Sequence, residues 1–385
     1  MTEWYPIVSE NGNIGSLLAS STEFVGIRND QLKLYLWFDK EGYHVPELSQ
    51  MKTYVTGSIT IDPKKWFMVA PSIPVHTFSE IDNYVKYLLS FIKDKIEGKR
   101  MVLSYSGGKD STAALVILLK MMNYVDFKLY VQYIHMPYLE SPECVKFAEN
   151  AARKLGVDLE ITEPPRHLVR RYLFKEGLPF RRTRWCTYFK VRSMKDLKKR
   201  VNADIEVMGD RLTEAGKRYK RYLELAKKEA ILAGKKFRPV LLMSVIDVVR
   251  VCKKVGIIHP DYLRGSPRVS CVYCPYRAVH EFRIEGLNVE DQGLIESVLK
   301  SSYRRWYAKH ISYEDYTTYA LWRYVPTVAK IFTKFRDEVK KNLAERERID
   351  LRDVIESYAS IWKVDIKAPV TDPVGYVKLV SESST

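Results

Sequence analysis

Apolar strands and amphipathic helices alternate through the middle of the chain. From residue 100 onward, short runs rich in Val, Leu, Ile and Tyr are followed by segments whose apolar residues recur at helical spacing. The strand-like runs are MVLSYS, FKLYVQYIH, VDLEIT and DIEVMG, and the helix-like segments are STAALVILLKMM, PECVKFAENAARKLG and IDVVRVCKKVG. This order predicts an α/β fold with a doubly wound, mainly parallel sheet. Ligands of such sheets bind at the carboxyl ends of strands.

The start of the chain has a different pattern. Short β-type runs, LKLYLWF at 32–38, KTYVTGSITI at 52–61 and WFMVA at 66–70, are separated by Gly, Pro, Asn and Asp. Residues 1–80 are therefore expected to form a small β-rich or α+β module.

The remaining patterns divide the chain into three parts. A helix predicted at roughly 79–97 leads into the alternating region. Beyond about residue 285 the chain becomes helical and aromatic and ends in a polar tail. We expect a module at 1–80, a catalytic domain at 81–285 and a helical C-terminal region at 286–385.

The composition is that of a folded protein, with 46% hydrophobic and 12% aromatic residues. No apolar run reaches the roughly 18 residues of a membrane span, and MTEWYPIVSENG lacks the features of a signal peptide. Five cysteines in 385 residues are too few for a disulfide framework. We therefore expect a cytoplasmic protein, without membrane contact, whose thiols are reduced or liganded.

The net charge of +16 is concentrated in two stretches. Residues 166–200 contain 13 Lys and Arg against 2 acids, and residues 211–238 contain 10 against 3. The rest of the chain is close to neutral. This local excess predicts a surface that faces a nucleotide or a nucleic acid, with a solvated basic face as the alternative.

The stretch SYSGGKDST, residues 104–112, follows the first strand of the alternating region. It matches neither the mononucleotide P-loop nor the dinucleotide glycine pattern. Its glycines nevertheless let backbone N–H groups approach an anion, and its hydroxyls and lysine are further donors. The alternative is a plain turn in which Asp110 or Ser111 caps the helix. The candidate nucleotide-binding residues are Ser104, Ser106, Gly107, Gly108, Lys109, Asp110, Ser111 and Thr112.

SGGKDS resembles the pyrophosphate loop of the ATP-pyrophosphatase, or adenine nucleotide alpha hydrolase-like, superfamily. Three further segments, ESPECVKFAENAARKLG, RWCTYFK and MGDRLTEAGKR, resemble motifs of its phosphoadenosine phosphosulfate (PAPS) reductase-like branch. The stretch that ends in RVSCVYCP resembles a fourth motif, and the likeness covers roughly 98–285.

The resemblance implies an enzyme that binds ATP or adenylyl sulfate together with Mg²⁺. The residues that it implies for catalysis are Lys109, Asp110, Cys186, Arg211 and Arg218. It also implies nucleotide contacts for Gly209 and Arg211, and a supporting role for Glu214.

Several positions depart from the family pattern. His135 replaces the usual Asp after the second strand, Ser244 stands near the usual Trp, and Ala215 replaces a Ser. No cysteine follows Cys274, so the C-terminal nucleophile of sulfonucleotide reductases is absent from this sequence. These departures, together with the intact SGGKDS, argue against simple sulfonucleotide reduction.

Cys271 and Cys274 form a C-x-x-C-P motif, a spacing that suits a metal or an iron–sulfur cluster. With Cys186 from the R-W-C-T segment they are candidate ligands of a [4Fe–4S] cluster. A zinc site, a redox dithiol and ordinary buried thiols are the alternatives. Cys252 is a candidate fourth ligand with a stronger expectation of core packing, and Cys144 is expected in the core. Arg184, Arg264, Arg268 and Arg277 are expected to favour thiolates.

An aromatic cluster near the C-terminus is interleaved with basic residues. Its members are Tyr303, Trp306, Tyr307, Tyr313, Tyr316, Tyr319, Trp322 and Tyr324. Such residues either stack on RNA bases or form a helical core with basic side chains at its rim, and the second alternative is the more common.

We therefore predict ATP-dependent activation of an acceptor for sulfur transfer, with release of pyrophosphate. tRNA or another nucleic acid is a candidate acceptor, and a sulfur- or electron-donor protein is a candidate partner. The alternatives are reduction of PAPS or adenylyl sulfate, and a nucleotide- or RNA-binding protein without catalysis.

Overall fold

The computed structural model describes residues 80–181, 183–212, 221–222, 224–225, 230–277, 279–284, 286, 288–341 and 351–363, together with eight short strands within 2–61. Four of these strands form an antiparallel sheet in chain order, and the others form two hairpins. They are β1 (Thr2–Val8), β2 (Ile14–Ser20), β3 (Val25–Arg28), β4 (Leu32–Tyr35), β5 (Trp37–Asp39), β6 (Gly42–His44), β7 (Tyr54–Thr56) and β8 (Ile59–Ile61). The N-terminal region is thus β-rich, as predicted; the run at 66–70 lies outside the described residues.

A mainly parallel, six-stranded sheet organises the middle of the chain. Its strands are β9 (Arg100–Ser104), β10 (Lys128–Ile134), β11 (Leu159–Thr162), β12 (Ile205–Val207), β13 (Leu232–Ala233) and β14 (Lys236–Phe237). They are arranged in the order β11-β10-β9-β12-β14-β13, and only the β13–β14 pair is antiparallel. The predicted α/β fold is confirmed.

The glycine loop lies at the point where the sheet reverses direction. From β9 the chain first adds β10 and β11 on one side, and it later adds β12 on the other side. Leu103 of β9 therefore pairs with Val131 on one side and with Val207 on the other. Open α/β sheets bind ligands at this crevice, and SYSGGKDST begins at the end of β9.

Helices cover both faces of the central sheet. Those in the first two thirds of the chain are α1 (Ile81–Ile96), α2 (Lys109–Met121), α3 (Pro142–Leu155), α4 (Arg166–Glu176), α5 (Trp185–Arg200), α6 (Val245–Lys254) and α7 (Pro260–Leu263). Met101 and Leu103 of β9 belong to one core with residues of α1, α2, α3 and α6. Val102, on the opposite face of the strand, packs with Met194 and Leu197 of α5. Burial on both faces explains why the three central residues of β9, Met101, Val102 and Leu103, are apolar.

The C-terminal region is helical, as predicted. Its elements are α8 (Gln292–Ser302), a π-helical turn (Tyr303–Tyr307), α9 (Tyr313–Thr318), α10 (Pro326–Lys341) and α11 (Leu351–Lys363). Five aromatic residues of the predicted cluster are buried in a second core, namely Tyr307, Tyr316, Tyr319, Trp322 and Tyr324. For these five the helical-core alternative is confirmed, and stacking on RNA is wrong. Among the described residues, we find no helix with the length and apolar character needed to cross a membrane.

Candidate active site

The glycine loop requires glycine at two positions. Gly107 has a φ of +72°, a conformation that favours glycine, and a Cβ there would lie 3.3 Å from the ring of Phe147. A Cβ on Gly108 would lie 3.3 Å from the Ser106 hydroxyl oxygen and 3.5 Å from that of Tyr262. A side chain at either position would therefore require a neighbouring side chain to shift, and at Gly107 it would also adopt a strained backbone conformation.

Hydroxyl groups hold the loop in this shape. The Oγ atoms of Ser106 and Ser111 are 3.0 Å apart, and Ser111 donates to the Gly108 carbonyl at 2.9 Å. Gly108 itself is the N-cap of α2, without a side-chain cap bond. Neither Asp110 nor Ser111 is therefore the N-cap residue of α2. Thr112 is buried, and its hydroxyl lies 3.2 Å from that of Tyr105, so this side chain packs beneath the loop. Ser104, the last residue of β9, is exposed.

Asp110 joins the two basic residues of the site. Its carboxylate accepts a hydrogen bond from Arg211 Nε and lies 3.2 Å from Lys109 Nζ. Lys109 and Arg211 are only 2% and 1% exposed. Burial raises the pKa of Asp110, but the charges of Arg211 and Lys109 outweigh it and lower the pKa to about 2. Asp110 is thus ionised at neutral pH and holds both cations at the loop.

The segment after β12 lies directly against the loop, as the sequence predicts for strand ends at one sheet edge. A Cβ on Gly209 would be 3.3 Å from the backbone carbonyl of Asp110 and from the N atom of Ser111. This close approach positions Arg211 beside Asp110. Arg218 and Glu214, also predicted at the site, lie outside the described residues.

Tyr262 is a loop contact that the sequence reasoning did not identify. The hydroxyl of Tyr262 accepts a hydrogen bond of 2.7 Å from the backbone N–H of Lys109, and the lysine Nζ lies 5.8 Å from the centre of the tyrosine ring. The same ring stacks on Trp362 of α11, with the ring centres 4.4 Å apart. The C-terminal helix therefore supports the glycine loop through Tyr262.

Three of the predicted cysteines lie close enough to one lysine, Lys190, to interact with its charge. Cys186 lies in the first turn of α5, and Lys190 follows one turn later. Lys190 interacts electrostatically with Cys271, Cys186 and Cys274. Cys252 is separate, because it lies beneath the glycine loop with its thiol 3.5 Å from the Lys109 carbonyl. Cys144 is buried in the main core, as expected.

Burial favours the neutral form of two thiols at this centre, those of Cys186 and Cys271. Burial raises the pKa of Cys186 and of Cys271, and Lys190 only partly opposes the effect. The basic neighbours thus act in the expected direction on the pKa of these two thiols, but burial outweighs them. A metal that binds here has to displace their protons.

The three cysteines provide the type of ligand atom that an iron–sulfur cluster requires. Cys186, Cys271 and Cys274 are sulfur donors, the ligand type of such clusters, and all three interact electrostatically with Lys190. Within the described ranges, no group of three or more His, Cys, Asp or Glu side chains has the arrangement of a metal site. The cluster, the zinc site and the dithiol thus stay predictions.

Two buried arginines support the C-x-x-C loop. The sequence does not indicate this structural role for either of them. Arg277 is fully buried and donates to the carbonyls of Cys271 and Ser270, both at 2.9 Å. Its own carbonyl accepts a bond of 2.8 Å from Arg323, which is also fully buried. The C-terminal region therefore fixes the backbone that carries Cys271.

His135 lies at the end of β10 in an acidic setting. Its Nδ1 is 3.3 Å from the Glu140 carboxylate, and its Nε2 is 3.9 Å from that of Glu163. Burial raises the pKa of Glu140, but the charge of Lys190 and the neighbouring His135 lower it overall. Glu140 therefore connects His135 to the lysine at the cysteine centre.

Comparison with known proteins identifies the family. Residues 100–277 match the family model of the phosphoadenosine phosphosulfate reductase domain. This match confirms, for residues 100–277, the resemblance to the PAPS reductase-like branch of the ATP-pyrophosphatase superfamily that the motifs indicate. The family consists of nucleotide-binding enzymes, and we assign the protein to that general class.

Two solved structures show distant similarity. One is the U34-tRNA thiolase NcsA from Methanococcus maripaludis with its [4Fe-4S] cluster, with 15% identity and a TM-score of 0.36 over 60% of this chain and 80% of that one. The other is an NH3-dependent NAD synthetase from Campylobacter jejuni in complex with nitrate, with 15% identity and a TM-score of 0.32 over 59% and 96%. A search of curated proteins gave no match.

Proposed function

We propose that the protein is an ATP-dependent sulfurtransferase that adenylylates an acceptor, releases pyrophosphate and replaces the activated oxygen with sulfur. The observation that carries this proposal is the closeness of the two centres on one loop. The Pro267 carbonyl accepts a bond of 3.4 Å from Lys109 Nζ. The next residue, Arg268, has its Nη2 4.0 Å from the sulfur of Cys274. An intermediate formed at the glycine loop would lie near the thiols.

The first step would use the glycine loop. An oxygen of the acceptor bonds to the α-phosphorus of ATP while the bond to the bridging oxygen breaks, and pyrophosphate leaves. The Lys109 ammonium group and the positive end of the α2 helix dipole would stabilise the departing charge, with Mg²⁺ offsetting the rest. Asp110 would keep Lys109 and Arg211 in place.

The second step would use the cysteine centre. Sulfide from a donor protein attacks the activated carbon, and AMP leaves with the former acceptor oxygen. The acceptor loses one oxygen and gains one sulfur without net oxidation. Cys186, Cys271 and Cys274 would hold a [4Fe–4S] cluster, which when bound would supply an iron site for sulfide. Zinc and a free dithiol are the alternatives for these residues.

Two variants separate the steps. We expect Lys109→Ala to lose pyrophosphate release from ATP in the presence of total tRNA. Cys271→Ala should keep pyrophosphate release and lose formation of thionucleosides, measured by mass spectrometry of digested RNA. Protein purified without oxygen is needed, with its iron, zinc and sulfide contents determined. A wild-type protein that releases no pyrophosphate with any RNA tested would contradict the proposal.

Reduction of PAPS or adenylyl sulfate is the second candidate, because the matched family model is that of PAPS reductase. The sequence has no cysteine after Cys274 to take up the sulfite group. Sulfite release from either sulfonucleotide, with a thiol reductant and without ATP, would favour this candidate. Binding of nucleotide or RNA without any turnover would favour the non-catalytic alternative.

A further inference from the structure

Three arginines converge on a single tyrosine ring beside the cysteine centre. The guanidinium carbons of Arg184, Arg181 and Arg268 lie 5.0, 5.6 and 5.8 Å from the centre of the Tyr276 ring. These distances are within the range of cation–π contacts. We call these four residues the arginine cluster.

The arginine cluster lies next to two of the thiols, those of Cys186 and Cys274. Arg184 is the N-cap residue of α5 and stands two positions before Cys186. Tyr276 stands two positions after Cys274, and the Nη2 of Arg268 lies 4.0 Å from the Cys274 sulfur. A group bound by these arginines would therefore be presented to the cysteine centre.

The cluster is built before any ligand arrives. Arg181 donates from Nε to the Pro275 carbonyl at 2.9 Å, and its backbone N–H donates to the Arg323 carbonyl at 2.8 Å. Its guanidinium also lies 4.8 Å from the centre of the Tyr324 ring. Arg181 thus fixes one side of Tyr276, and the tyrosine ring orders the other two arginines.

Charge distinguishes this cluster from the structural arginines nearby. Arg277 lies within 3.6 Å of both Asp261 and Glu281. Neither Arg184 nor Arg268 has a carboxylate within 4.0 Å among the residues that the structure describes. Arg184 is exposed and Arg268 is half-buried, so the donor edges of both can be reached from solvent. Like charges held this close repel, and a bound anion would relieve that repulsion.

We propose that Arg184 and Arg268, stacked on Tyr276, bind a tetrahedral oxyanion of the substrate and hold it beside the thiols. Guanidinium groups bind phosphate and sulfate through paired N–H donors, which suits this role. The oxyanion has two sources, a backbone phosphate of an acceptor RNA or the phosphate or sulfate of the nucleotide. The choice between these two sources rests on the proposed function, whereas the proposal that an oxyanion binds here does not.

Equilibrium binding tests the proposal. The variant Arg184→Gln/Arg268→Gln is compared with wild type and with Lys195→Gln, a change of an exposed charge on the same helix. The probes are total tRNA, ATP and adenylyl sulfate, each titrated at several salt concentrations. We expect the double variant to bind one probe about tenfold or more weakly, because it loses charge-assisted hydrogen bonds to the oxyanion. Lys195→Gln should bind all three probes with the affinity of the wild type.

The probe that weakens identifies the source. Loss of tRNA affinity indicates RNA phosphates if the slope of log K against log salt concentration also falls by an amount that corresponds to about two released counterions. Loss of affinity for ATP or adenylyl sulfate alone indicates the nucleotide. Arg184→Lys should recover only part of the affinity, because lysine lacks the paired donors. Wild-type affinity of the double variant for all three probes, with an unchanged thermal midpoint, overturns the proposal. Pyrophosphate release has no part in this test, so failure of the proposed function is recognised separately.

Discussion

Replacement of Asp110 by asparagine tests the central contact of the glycine loop. The substitution keeps the shape of the side chain and removes its charge, beside Lys109 and Arg211, both almost fully buried. The pKa of Asp110 is about 2, compared with an ordinary value of 3.8. At about 1.4 kcal/mol per tenfold change, this difference corresponds to about 2 kcal/mol of stabilisation. We expect Asp110→Asn to lower the free energy of unfolding by at least about 2 kcal/mol at pH 7.

The stability difference between wild type and Asp110→Asn should depend on pH in one direction. A carboxyl group with a lowered pKa in the folded protein stabilises it above its unfolded pKa, near 3.8, and the contribution is lost as pH falls toward about 2. The difference between wild type and Asp110→Asn should therefore be constant from pH 8 to pH 5 and should shrink below about pH 4. Urea unfolding followed by fluorescence measures it, with the exposed Asp158→Asn as control. Equal stability of Asp110→Asn and Asp158→Asn at pH 7, or a difference that varies between pH 5 and 8, would refute the reasoning.

The remaining predictions concern the support of the loop. Gly107→Ala should weaken ATP binding and cost more stability than Gly98→Ala, measured by urea unfolding, because both have a positive φ but a Cβ at Gly98 meets nothing within 4 Å. Tyr262→Phe removes the acceptor of the Lys109 N–H, so it should cost about 1 kcal/mol of stability and raise the Kd for ATP, measured by calorimetry. Trp362→Ala removes a buried ring and should cost about 3 kcal/mol; an unchanged urea midpoint would show that α11 does not support Tyr262.

The sheet and the loop follow from local patterns, and for that reason the sequence predicts them well. β9 is apolar at every central position because it is covered on both faces, and the glycines of the loop are needed at the places where the backbone turns. Helices α4 and α5 were not predicted. Their mean hydropathy is low and they are rich in Arg and Lys, so the apolar period on their buried faces is weak.

The partners within the site depend on long-range contacts, which a single sequence does not contain. Asp110 and Arg211 are 101 positions apart, and Lys109 and Tyr262 are 153 apart. The motifs identify Asp110 and Arg211 as site residues without indicating that they bind each other. Tyr262 lies in the stretch that resembles the fourth family motif, but a single sequence does not indicate that its hydroxyl contacts the glycine loop.

The net charge was interpreted as a surface property, and the buried arginines modify that interpretation. Arg323 donates to the carbonyls of Ala320, Arg277 and Tyr319 at 3.0, 2.8 and 3.4 Å, a task that needs the several donors of a guanidinium. Arg277 and Arg211 are likewise buried against protein groups. A count of Lys and Arg therefore overstates the charge that faces a ligand. Arginines that are reachable from solvent and stand beside the chemistry are the informative ones, and at the cysteine centre Arg184 and Arg268 meet that condition.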